Sequence, residues 1–229
     1  MSTDVDVRDG AASFVAKWRA RWPEWELGMV FVPAAQRPLV EAWFTLLQEL
    51  TDAAWGGADP TPGLAKLAWW QEELGGWSKG ARRHPLGALL QPRSAVPWLA
   101  LGRALPDLRA LRGRDADAAA EPHGAGDVVA GEAFAAAMAD CEAALFDGRA
   151  DADARAVVLR GLLDERSLVQ ATPMEAIDVA DRNARRARPG TRPRGIASAF
   201  TSARRRGAGA ALPPVRALLA AWRGARSPR

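Results

Sequence analysis

Between residues 38 and 55 the apolar side chains Leu39, Trp43, Leu46, Leu47, Leu50 and Ala54 recur at the period of an α-helix. Pro38 suits the first turn, where a missing N–H costs nothing, and Gly56-Gly57 ends the run. A stripe of this length needs other helices to cover it. The rest of the chain offers them: Ala, Leu and Arg dominate, β-branched residues are sparse and Tyr is absent. That balance favours helix over sheet, so the predicted fold class is all-α.

Further helices follow from the same period. Residues 13–22 carry Phe14, Trp18 and Trp22 on one face, and residues 29–33 read as a brief extended stretch. Thr61 and Pro62 fit the cap and first position of a helix over 63–77, with Leu64, Leu67, Trp70, Leu74 and Trp77 inward. A helix opens near Pro85, and residues 97–111 suit a short helix interrupted at Pro106. Residues 112–127 read as a polar loop. Helices are expected over 128–147 and 151–170, the latter with Val157, Val158, Leu162 and Leu168 as its stripe. Thr172, Pro173 and Glu175 form a capping box. Nine of ten tryptophans lie between Trp18 and Trp98, so the distinctive core is N-terminal. We divide the chain into a helical core at 1–147 and a variable helical region at 148–229.

The net charge of +4 conceals an asymmetry: residues 182–229 hold 13 Arg and no acid, whereas all 27 acids lie before them. This basic tail invites an anionic membrane surface or nucleic acid, with Phe200 and Trp222 as its only aromatic residues, or is simply solvated. One cysteine, Cys141, on an amphipathic helix reads as a buried inert thiol. Two histidines and one cysteine cannot form a conventional structural zinc site. The acidic, polar start does not resemble a signal peptide, and no apolar run approaches about 18 residues. A cytoplasmic protein, peripheral at a membrane, is the expected setting.

No nucleophile elbow, phosphate loop or metalloprotease motif is present. Three acidic clusters remain: Glu49 with Asp52, Glu72 with Glu73, and Glu175, Asp178 and Asp181. The three-residue step from Glu49 to Asp52 puts both carboxylates on one helix face, where they could share Mg2+ with a diphosphate. Each cluster could equally be a solvated helix face. Trp70 belongs to the apolar stripe, and Trp69 points about 100° away, toward a second helix or a cavity.

Over residues 37–91 the chain resembles the squalene/phytoene synthase family. The features run in order: a helix ending in Glu49 to Asp52, a Pro-containing loop, K-L-x-W-W-x-E-E-L at 66–74, and H-P-L at 84–86. The resemblance implies an isoprenoid-synthase-like helical bundle, truncated relative to the family's enzymes, with an Arg-rich helical C-terminal segment. It implies a prenyltransferase that joins two prenyl diphosphates head to head, with Mg2+ held by acidic motifs. On this chain Glu49 and Asp52 would bind the metal, and Lys66, Arg82 and Arg83 the diphosphate. Trp69 and Glu73 would wall the cavity. The first aspartate motif is reduced to Glu49 and Asp52, and the second has no clear counterpart. That departure resembles the branch containing a mitochondrial complex I assembly factor, and gives the alternative: a catalytically inactive member that binds a protein partner.

Overall fold

The computed structural model describes residues 2–113, 130–170 and 187–226, and among them there is no β-strand. The chain is all-α. Helix α1 covers Ser2–Arg21, α2 Glu24–Gly28, α3 Arg37–Trp55, α4 Thr61–Trp77 and α5 Gly87–Leu90. Helices α6 (Trp98–Arg103), α7 (Leu105–Ala110), α8 (Glu132–Phe146), α9 (Ala152–Gln170), α10 (Arg192–Arg206) and α11 (Pro214–Ala225) complete it.

Helix α3 is the hub. Helices α1, α4, α5, α7 and α9 all pack on it. This explains why Trp43, Leu46 and Leu50 are buried completely. Polar side chains of α3 are buried too: Thr45, Gln48, Glu49 and Thr51 are covered by neighbouring helices rather than solvated. Around the hub, large aromatics interlock. Trp70, Trp77, Trp98 and Trp43 form a chain of tilted and edge-on contacts, with Trp77 and Trp98 centred 5.1 Å apart. Trp25 packs edge-on against Phe200, so the core runs on past residue 147 into the basic segment.

Several boundaries have local causes. Gly57 adopts φ +70, the left-handed conformation that glycine tolerates, just after α3. The Thr191 hydroxyl accepts the Arg194 N–H and caps α10. Thr61 does not cap α4 as expected; it lies within the helix, and the Asp59 side chain accepts its N–H instead. Residues 29–31 form a 3-10 turn, and the extended backbone expected over 29–33 is confined to Val32 and Pro33. The capping box at 172–175 and the cluster Glu175, Asp178 and Asp181 lie outside the described residues, as does most of the polar loop.

The basic segment is docked by arginines. The Arg194 Nε–H is shared between both oxygens of the Glu142 carboxylate and Nη2 adds a second donor, while the same carboxylate accepts the Trp43 indole N–H at 2.9 Å. Arg204 Nε reaches Glu24 at 2.7 Å, and the Leu212 N–H adds a bond to the same carboxylate. Arg205 pairs with Asp164 at 3.0 Å. Arg194 and Arg204 each supply a charge-assisted fork to a carboxylate that also accepts another N–H, which offsets the cost of burying the pair.

Candidate functional site

Helix α4 carries Lys66, Trp70, Glu73 and Trp77 at steps of four, three and four, one face along three turns. Because α4 packs on α3, the Lys66 end of this stripe meets the Glu49–Asp52 end of α3. Lys66 Nζ lies 2.6 Å from Glu49 Oε2. From α1, Lys17 Nζ bridges both acids, at 3.2 Å from Glu49 and 3.4 Å from Asp52. Arg21 closes on Asp52 Oδ1 at 2.7 Å. Two carboxylates thus face three cations. Burial alone would push the Glu49 carboxyl up, but the bonds and charge of Lys66 and Lys17 outweigh it and hold the group below its usual range.

Magnesium requires near-octahedral oxygen ligands. Both Glu49 oxygens already accept an ammonium, and among the described residues no group of three or more His, Cys, Asp or Glu is placed to hold a metal ion. The donor set, as arranged, does not fit a resident Mg2+.

The second acidic pair divides. Glu72 is exposed, whereas Glu73 is buried and works as an anchor. It accepts the Arg83 and His84 backbone N–H groups at 2.7 and 2.8 Å, the Trp77 indole N–H at 2.8 Å and Arg83 Nε at 3.0 Å. Burial opposes its charge, and these four donors overcome that and lower its pKa. The donors tie residues 83–84 to α4. Arg83 lies over Trp69, its guanidinium 5.3 Å from the ring centroid. Arg82 is exposed and makes no ion pair among the described residues. Trp69 is half-buried against Trp70 and His84.

His84 sits between the two ion clusters, with Phe14 and Trp70 each centred 4.6 Å away. Burial lowers its pKa, helped by Lys66 and opposed by Glu49 and Glu73. Its Nδ1 accepts the Leu86 N–H, which fits a neutral ring. Cys141 is fully buried, and burial pushes its thiol far above the usual range, so it is inert as expected.

Behind the α3 acids lies a cavity of about 40 Å³, walled by Trp18, Trp25, Phe44 and Phe200, with Gln48 and Glu165 among its polar groups. Pockets that take organic ligands run to roughly 300–1,000 Å³. This one is too small for a prenyl chain. Thr51 donates to Glu165 at 3.3 Å, and burial pushes the Glu165 carboxyl up despite nearby Arg21 and Arg194.

Glu49, Asp52 and Lys66 therefore converge, Arg83, Trp69 and Glu73 belong to the neighbouring anchor, and Arg82 joins neither. Sequence reasoning missed Lys17, Arg21 and Glu165. One signal was available: the chain has three lysines against 28 arginines, and two of the three meet at Glu49. Compared with protein-family models, curated proteins and solved structures, the chain matches none of them.

Proposed function

We propose that the chain is a binding or assembly protein on a scaffold resembling the squalene/phytoene synthases, with the position of the metal given over to internal ion pairs. The observation that carries this reading is the occupation of Glu49 and Asp52 by Lys17, Arg21 and Lys66. The small volume of the cavity lined by Gln48, Thr51 and Glu165 supports it. A carboxylate with an ammonium group on each oxygen is an internal counter-ion, its charge already balanced without a metal.

A second reading is a Mg2+-dependent prenyltransferase acting on prenyl diphosphates. It is favoured by the exposure of the Lys17 and Lys66 side chains, 55% and 41%, which leaves both ammonium groups free to swing onto a diphosphate. Calorimetric titration of farnesyl diphosphate, with and without Mg2+, separates the two. The binding-protein reading expects no metal-dependent heat, and cellular function retained in Glu49→Ala and Asp52→Ala. Metal-dependent binding that weakens in Asp52→Ala would overturn it and establish a working diphosphate site.

A further inference from the structure

Helix α11 is mounted with its large apolar residues outward. Ala217, Ala221 and Gly224, at steps of four and three, form its buried face. They let the helix lie so close to α10 that a Cβ on Gly224 would sit 2.3 Å from the Gly195 carbonyl oxygen. The opposite side presents Val215 (71% exposed), Leu218 (43%), Leu219 (45%) and Trp222 (43%). An amphipathic helix ordinarily turns that stripe to the core. Here the core-facing side is satisfied by small residues, and the apolar stripe is left for something outside the described chain.

The charge around the stripe is of one sign. Arg216 and Arg223 flank it at a seven-residue step, and Arg226 stacks on Trp222 at 4.5 Å. Arg206, Arg216 and Arg223 make no ion pair among the described residues. With Leu212, Leu219 and Ala220 they line a groove of about 560 Å³ between α10 and α11. Phe200 lies in the core, so Trp222 is the exposed aromatic of this face.

We propose that α11 docks on an anionic lipid bilayer. Val215, Leu218, Leu219 and Trp222 would enter the headgroup–acyl boundary, while Arg206, Arg216, Arg223 and Arg226 meet lipid phosphates. An apolar face bordered by arginine, with Trp at the boundary, is the chemistry of helices that lie in the interface plane. No helix among the described residues is long and apolar enough to cross a membrane, so the helix lies on the surface. A second copy of the chain suits the face poorly, because mating two of them brings Arg216 and Arg223 against like charge. The proposal is independent of whether the Glu49–Asp52 site is catalytic.

The test is flotation of the full-length protein with vesicles of phosphatidylcholine alone and with one-third phosphatidylglycerol. Binding to the anionic vesicles is expected, weakening in high salt. Leu219→Gln with Trp222→Gln should lower the partition coefficient at least tenfold. Each of Arg216→Gln and Arg223→Gln should lower it about fivefold. Brominated acyl chains should quench the emission that Trp222→Leu lacks. All four positions are exposed, and unchanged helical circular dichroism verifies that the variants fold. Absence of anionic-vesicle binding overturns the proposal, as does equal binding to both compositions. It also fails if the apolar variants bind normally, if they instead abolish a dimer in solution, or if the arginines are needed only for binding RNA.

Discussion

Lys66 Nζ lies 2.6 Å from Glu49 Oε2, across the α3–α4 packing, and Lys17 approaches the other oxygen of the same carboxylate from α1. Glu49 is 3% exposed, so removing it matters less through lost attraction than through the cations left facing one another. The lysines can rehydrate, which discounts the cost. Glu49→Ala should lower unfolding free energy by about 1–2 kcal/mol. The paired variant Lys17→Met, Lys66→Met leaves a buried, uncompensated carboxylate and should cost more. Urea denaturation of both decides it; equal costs would mean that the lysines do not compensate Glu49.

Glu73 should prove the more expensive loss. It gathers two backbone N–H groups, an indole N–H and a guanidinium, and the backbone donors have no replacement nearby. Glu73→Ala is expected to destabilise by about 2–4 kcal/mol, and Glu73→Gln by less because its carbonyl oxygen still accepts. Hydrogen exchange should locate the damage at the Arg83 and His84 amides. Protected amides there in Glu73→Ala would show that the anchor is not needed.

What could be read in the sequence followed from local spacing. Helices α3, α4 and α9 announce themselves by their apolar period, and the buried Trp70 and Cys141 followed from their stripes. The same logic left Glu49 open to a solvated face, because a polar side chain on a helix looks exposed until a second and third helix cover it. Pairings such as Glu24 with Arg204, separated by 180 positions, leave no local trace. Helix α11 shows the limit most clearly. There Ala217, Ala221 and Gly224 take the inward side, where the backbone closely approaches Gly195, and Leu218 and Trp222 are left exposed.

The shielded carboxyls, three buried and Glu165 half-buried, pull stability in opposite directions with pH. Glu24, Glu49 and Glu73 sit below their ordinary value of 4.5 when folded, each because its donors outweigh burial. Their contribution is present above about pH 4.5 and is lost as the pH falls through the folded values. Glu165 is shifted upward by burial, so its contribution is present below 4.5 and is lost as the pH rises through its folded value. Glu165→Gln keeps an acceptor for Thr51 and cannot ionise. It should raise the melting temperature at pH 8 and leave it unchanged at pH 4. Thermal unfolding across that range checks it; a difference independent of pH would contradict the shift.

The α10–α11 contact is the tightest helix approach bearing on the outward face. A Cβ on Gly195 would lie 2.3 Å from the Gly224 carbonyl oxygen, and one on Gly224 equally close to the Gly195 oxygen. Backbone oxygens of two helices cannot swing aside as side chains do, so a single methyl must part the helices. Gly224→Ala gains about 1 kcal/mol of helix propensity and should still destabilise the protein, by about 1–3 kcal/mol net, through overpacking. The displacement should show as faster hydrogen exchange along residues 214–225, with α3 and α4 unaffected. Because Ala217 and Ala221 share that buried face, Gly195→Ala in the same background should add less than its single cost, as expected of one shared clash. Fully additive costs would mean that the two glycines do not meet.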